Sequence, residues 1–331
     1  MNKPFLLKPA AKDYLWGGNR LNEEFAKDIE VSPLAETWEC STHPDGLSTV
    51  ASGSYKGDTL LCVLASHPEY MGTHPLETYA ECSEGQLPVL IKFIDANKDL
   101  SVQVHPTDEY ADIRENGQLG KTEMWYVLDA KKDSNLIYGL KHKSSRQDIE
   151  NALDGDNLEK YLQKVHIEKN DVFMINAGTI HAIGAGALIA EIQENSNLTY
   201  RLYDYNRVDK NGNKRELHIS KALDVAILDS MKEPKQPMRV LHYQQGLARE
   251  LLNRCKYFEV YRMIVNTERR QVVKFKSDEL SFRVLLCVNG CGTISFDNEL
   301  LNVYKGDCIF VPANSVEMQL HGQMQFLDVR G

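Results

Sequence analysis

Four side chains able to ligate a metal fall in three short stretches. Gln103 and His105 lie in Leu100–Pro106 (LSVQVHP), Glu123 in Lys121–Trp125 (KTEMW) and His181 in Gly178–Gly186 (GTIHAIGAG). Two imidazoles and a carboxylate on one wall make a divalent-metal set, with an amide oxygen available as a fourth ligand. Any one of these histidines taken alone reads more readily as a satisfied or surface residue. What lifts the set is its neighbourhood. Read as a strand, Leu100–His105 puts Leu100, Val102 and Val104 on one face and Ser101, Gln103 and His105 on the other. One face belongs to a core, and the other is free to line a cavity.

The elements that would position these residues are mostly strands. Pro88–Ala96 (PVLIKFIDA) is a near-continuous apolar run, as in a buried strand. Asn97-Lys98-Asp99 has turn composition, with Leu100–His105 as the returning strand. Thr107 to Glu109 opens a short helix ending near Gly117. Glu123–Leu128 is a strand with Glu123, Trp125 and Val127 on one face. Asp58 is placed to cap a helix through Leu60, Leu61 and Leu64. Ser144 or Ser145 caps a helical segment running to Lys164, broken at Gly155 into two helices. Lys169–Asp171 and Asn176–Gly178 are turns around a strand at Val172–Ile175. Leu188–Gln193 is a strand with Glu191 and Gln193 on one face. In Asn197–Arg207 alternation sets Arg201, Tyr203, Tyr205 and Arg207 on one side. Asn211-Gly212 marks a loop tip, and Ser220–Leu228 reads as a helix. Glu233–Pro237 (EPKQP) is the best linker. Beyond it, turn signals at Asn289-Gly290, Gly292, Asn298, Gly306-Asp307 and Gly322 punctuate an all-β region.

The bulk properties narrow the function classes. A chain of 331 residues suggests two domains, at about 150 residues each. A net charge of −9 argues against nucleic acid or an anionic membrane surface as the main partner. It leaves room for an anionic small molecule in a local basic pocket. Seven cysteines without a CxxC pair are reduced usage rather than a disulfide framework. The N-terminus has no apolar run suited to a signal peptide or membrane span. A cytoplasmic location is therefore expected.

Several segments resemble one family in its own order along the chain: WGG at 16–18, AETWECSTHP, SVQVHP, GKTEMWYVL, NAGTIHAIGAG and EIQENSNLTYRLYDYNR. They are similar to class I mannose-6-phosphate isomerases in the shorter bacterial form. That resemblance implies a metal-dependent aldose–ketose isomerase of the cupin superfamily, acting on mannose 6-phosphate and fructose 6-phosphate. It implies a mainly β fold of two cupin-like jelly-roll barrels, with helices inserted in the first. One Zn²⁺ per chain would be held by Gln103, His105, Glu123 and His181. Arg201 matches the family's active-site arginine and Glu191 an active-site carboxylate. Lys121 matches a lysine near the metal. Lys92, Ser101 and Arg207 match positions that line the site or meet the phosphate, and His43 stands in the THP motif.

The chemistry so implied needs a cation to stabilise an enediolate and a base to move the C–H proton. Arg201 offers a planar cationic fork. Glu191, Lys121, Lys92 and His43 are the base candidates, Glu191 first. Two other readings share these residues: an Fe(II) oxygenase built on the same triad, and a sugar-phosphate-binding module without turnover. The expected division is a catalytic, metal-binding unit over residues 1–235 and a second cupin-like unit over 236–331 that binds no metal. In the latter, Glu317 falls where His181 stood when the two turn-plus-Asp segments are aligned. Oligomeric state is not legible.

Overall fold

The computed structural model describes residues 2–25, 27–208, 212–232, 234, 236, 238–269 and 271–331. Asn211 of the expected loop tip lies outside them, as do Glu233, Lys235 and Pro237 of the linker. Three antiparallel sheets build the fold. A six-stranded sheet runs Val172–Ile175, Glu123–Ala130, Ala187–Glu194, Val89–Asp95, Glu36–Cys40, Ala10–Lys12 in spatial order. A five-stranded sheet runs Tyr200–Tyr203, Val102–Val104, His181–Ile183, Asn135–Leu140, Leu162–His166. The rest of the chain forms a ten-stranded sheet that curls around its own core of Leu285, Cys287, Ile309, Val311 and Phe326. The chain is mainly β with cupin-like barrels, and among the described residues the α-helices lie between residues 20 and 225.

Side-chain alternation fixes how these layers stack. On the six-stranded sheet, Ile94, Trp125, Val127 and Ile189 point inward and meet Leu136, Val165 and Ile183 of the five-stranded sheet. Their neighbours Ile91, Phe93, Met124, Tyr126, Ala190 and Ile192 point outward. That outer face packs on Val284, Leu286, Phe310, Leu327 and Val329 of the ten-stranded sheet. The outer face of the five-stranded sheet is covered by Ile149, Ala152, Ala222 and Leu223 from two helices. The first of these helices, Arg146–Asp154, opens with a reciprocal capping box between Ser145 and Asp148.

Several expectations change on contact with the fold. Leu100–His105 does not return as a hairpin beside Val89–Asp95. The turn at 97–99 carries the chain from the six-stranded sheet to the five-stranded one, where Val102–Val104 pairs with residues 181 and 200–203. The second inserted helix is a single 3-10 turn, Leu158–Lys160, followed by the strand Leu162–His166. The left-handed backbone at Asp156 (φ 49°) ends the helical run, and Leu162 and Val165 then face the core. Thr59, not Asp58, caps the helix Leu60–Ser66 by accepting from Cys62 N–H. The strand at Tyr200–Tyr203 stops short of Arg207 because Tyr205 and Asn206 adopt positive φ. The N-terminal strand Phe5–Lys8 crosses over to pair with Cys308–Val311. The two halves thereby share a sheet as well as a core.

Candidate active site

The inward faces of the two facing sheets end in a polar cavity of about 250 Å³. Its walls follow from strand register. Lys92 lies between Trp38 and Glu191 on the neighbouring strands, and Glu191 pairs in turn with Trp125. Gln193, two residues on, is opposite Glu123. On the facing sheet Arg201, Gln103 and His181 form a row across three adjacent strands. His105 follows directly on the strand Val102–Val104. The turn before His181 needs Gly178, whose φ is +85° and where a Cβ would stand 3.0 Å from the Val225 carbonyl.

His105, Glu123 and His181 offer ligand atoms within 4.8 Å of one another. Each is at most 1% exposed. His105 Nε2 is 3.6 Å from one Glu123 oxygen, and His181 Nε2 is 3.4 Å from the other. Both imidazoles are oriented from behind: His105 Nδ1 lies 2.9 Å from the Leu198 carbonyl and His181 Nδ1 2.8 Å from that of Thr179. With Nδ1–H donating there, each Nε2 lone pair faces the centre. Among the described residues His105 Nε2 and Glu123 Oε1 are buried without a hydrogen-bond partner, and Glu123 Oε2 meets only the Lys121 ammonium, at 2.9 Å. Orphaned acceptors of this kind are costly in a dry interior unless a cation joins them. The triad therefore fits a divalent metal. The Gln103 amide stands 3.4 Å from His181 Nε2, with its nitrogen nearest. Turning that amide over presents its oxygen to the same centre.

Burial, reinforced by Lys121 and the other imidazole, holds His105 well below the usual histidine range. Burial likewise takes His181 to about 4. Both rings are thus neutral, as ligation requires. Beside the triad runs a ladder of alternating charge. Lys121 Nζ is 2.9 Å from Glu123 and 3.9 Å from Glu191; Lys92 Nζ is 3.1 Å from Glu191 and 3.9 Å from Glu36. The Trp125 indole donates to Glu191 at 3.0 Å. Burial would raise Glu191, but Lys121, Lys92 and Trp125 together outweigh it and hold the carboxyl at about 2.

Of the residues singled out in the sequence, Lys92, Ser101, Gln103, Lys121, Glu191 and Arg201 line this cavity, against the buried triad. His43 is not among the lining residues: its ring stands edge-on to Trp38, and its Nδ1 accepts from Asp45 N–H. Arg207 is spent on Asp204 and the Asp99 carbonyl. The cavity also takes in Tyr14, Trp16, Glu36, Thr199 and Arg215. Glu36 stood in the AETWECSTHP segment without a role of its own, and Arg215 carried no local signal. His218 was also missed. It brackets the Arg201 backbone, donating from its N–H to the carbonyl and accepting at Nδ1.

Comparison with known proteins bears on this site directly. Residues 5–140 match the family model "Phosphomannose isomerase type I, catalytic domain", and residues 248–330 match "Mannose-6-phosphate isomerase, cupin domain". The chain is 34% identical to mannose-6-phosphate isomerase ManA of Bacillus subtilis, over 97% of this chain and 96% of that one. The chain belongs to the type I mannose-6-phosphate isomerase family. A crystal structure of the mannose 6-phosphate isomerase from Bacillus subtilis superposes with a TM-score of 0.88 at 32% identity, covering 99% of both chains. A family structure described as "holo; zinc bound" shares the fold at a TM-score of 0.76 and 15% identity, covering 99% of both chains. Among the described residues no helix is long and apolar enough to cross a membrane.

Proposed function

We propose that the protein interconverts mannose 6-phosphate and fructose 6-phosphate, with one Zn²⁺ held by His105, Glu123, His181 and the Gln103 amide oxygen. The observation that carries this reading is the convergence of three buried ligand side chains, with His105 Nε2 and Glu123 Oε1 lacking a partner among the described residues, beside a ladder of lysines and carboxylates. A bound divalent ion supplies charge stabilisation to the sugar oxygens. Everything else falls to side chains of this chain.

Arg201, next to Gln103 in register, presents its guanidinium toward the reacting oxygens. Its Nε is buried and has no partner among the described residues, while one Nη donates to the Glu216 carbonyl at 2.8 Å. The free N–H is a donor waiting for a substrate oxygen. Glu191 is tied to Lys92 and Trp125, and a carboxyl held at about 2 is a weak base at neutral pH. Its role is to keep two ammonium groups in place. Lys92 keeps its proton: burial works against the charge, but Glu191 and Glu36 lift the ammonium above its ordinary range. Lys121 lies between Glu123 and Glu191 and lines the cavity, so it is the group best placed to exchange the proton.

The two-unit division at 235/236 is part of this proposal, with the ten-stranded unit supporting the site rather than containing one. Glu317, the residue aligned with His181, pairs with Lys274 at 2.7 Å on the surface. A cytoplasmic setting suits a sugar-phosphate substrate and seven free cysteines. The test is a coupled assay on mannose 6-phosphate with and without chelator. Turnover that chelation abolishes and zinc restores is expected. Oxygen uptake with iron and reductant, or substrate binding without product, would move the assignment to the oxygenase or the binding module.

A further inference from the structure

The cavity has two ends of opposite charge. At the metal end, Lys92 and Lys121 face Glu36, Glu123 and Glu191, one negative charge in excess, as suits a cation. At the mouth stand Arg201, Arg207 and Arg215 with Asp204 as the buried carboxylate among them. The Glu216 side chain is 83% exposed and, among the described residues, pairs only with His218, at 4.0 Å. The mouth therefore carries about two uncompensated positive charges, matching a phosphate monoester of about −1.5 to −2.

The three arginines are not equivalent. Asp204 follows the strand that carries Arg201, and positive φ at Tyr205 and Asn206 then turns the chain. Arg215 returns to Asp204 as a planar fork, Nε at 2.8 Å and one Nη at 2.5 Å. Arg207 holds the same carboxylate and also the Asp99 carbonyl. Of these two, Arg215 lines the cavity and Arg207 does not. The fork on Asp204 uses two of the five N–H groups of Arg215. Among the described residues nothing else engages the remainder, and the fork fixes the rotamer of the guanidinium. Ser101, Asn197 and Thr199 line the same cavity.

We infer that Arg215 is the anchor for the phosphate of the substrate, and that Asp204 and Arg207 are positioning residues that aim its guanidinium. The inference rests on the isomerase reading above for which sugar is attached, but not for the anion. With the phosphate on Arg215, the other end of the sugar is directed along the row Arg201, Gln103, His181. Arg215 thereby sets the specificity for phosphorylated over free sugar.

The test compares the zinc-loaded wild type with Arg215→Met, Arg215→Lys, Arg207→Met and Asp204→Asn. The readouts are KM and kcat for mannose 6-phosphate, and the inhibition constant of inorganic phosphate. Arg215→Met is expected to raise KM and the phosphate constant on the order of 10- to 100-fold, the cost of a lost charged hydrogen-bond pair, with kcat changed much less. Arg215→Lys restores part of the affinity, since it keeps charge without the fork. Asp204→Asn weakens phosphate through Arg215, and Arg207→Met weakens it less than Arg215→Met does. An unchanged phosphate constant in Arg215→Met overturns the assignment. So does a loss in Arg207→Met equal to that in Arg215→Met, which would put Arg207 itself on the phosphate. If Arg215→Met does not fold, unchanged constants in both Arg215→Lys and Asp204→Asn overturn it equally. Should the wild type not turn over the sugar phosphate, the isomerase reading fails on its own. Calorimetry with inorganic phosphate on the same variants still decides the anchor.

Discussion

Glu194 ends the strand that carries Glu191, and it is a buried acid that the chemistry does not use. It is 2% exposed, accepts from Thr122 N–H at 2.5 Å and shares a side-chain hydrogen bond with Asp108. Asp108 in turn accepts from Tyr257 O–H at 2.8 Å, Lys256 Nζ at 3.2 Å and Gly120 N–H at 3.1 Å. Two carboxyls in one hydrogen bond need one proton between them. Burial first, then Asp108, pushes Glu194 from 4.5 up to about 8, so the proton sits there. At about 1.4 kcal/mol per tenfold, that rise is worth roughly 5 kcal/mol, and relaxation brings the working figure to about 3 kcal/mol. The sign follows from proton counting. Between 4.5 and about 8 the folded state binds more protons than the unfolded state, so this group's contribution to stability falls as pH rises through that window. Glu194→Gln is neutral at every pH, accepts from Thr122 with its oxygen and donates to Asp108 with its nitrogen. Urea melts of zinc-loaded wild type and variant at pH 5, 7 and 9 should show near-equal stability at pH 5. At pH 9 the variant should lead by about 3 kcal/mol. Parallel profiles, or a variant weaker at pH 9, would refute the shared-proton pair.

Three further outcomes are expected. Arg201→Lys should retain fold and zinc but lose kcat on the order of 100-fold, since an ammonium cannot reproduce the fork; wild-type kcat would make Arg201 a structural residue. Lys121→Met should retain one zinc per chain yet lose isomerisation, whereas Glu191→Gln should lose less; the reverse order would return the base role to Glu191. A chain ending at residue 237 should be insoluble, because Phe5–Lys8 loses its partner strand and Val89, Ile91 and Phe93 lose the apolar face they pack on. A soluble, active fragment would contradict the shared core.

Much of the site was legible because its signals are local. Alternation grouped Gln103 with His105, Glu123 with Trp125 and Glu191 with Gln193, and the family resemblance marked Lys92. Capping residues gave the helix starts at Thr107 and Ser145. What stayed hidden was long-range. The composition of Asn97–Asp99 says that the chain turns, not which sheet it enters. Nothing in Phe5–Lys8 announces a partner at Cys308–Val311. Alternation through Arg207 was broken by two left-handed residues, Tyr205 and Asn206, that the sequence does not flag as glycine would. Arg215 gains its meaning only from Asp204, eleven positions earlier, across a returning loop.

The metal centre is the central claim, and metal content measured on purified protein tests it most directly. Wild type dialysed against zinc should hold one ion per chain. Glu123→Gln and His181→Ala, each folded by circular dichroism, should hold close to none and show no turnover. One zinc per chain retained in both variants, or full activity of zinc-free wild type, would contradict the account.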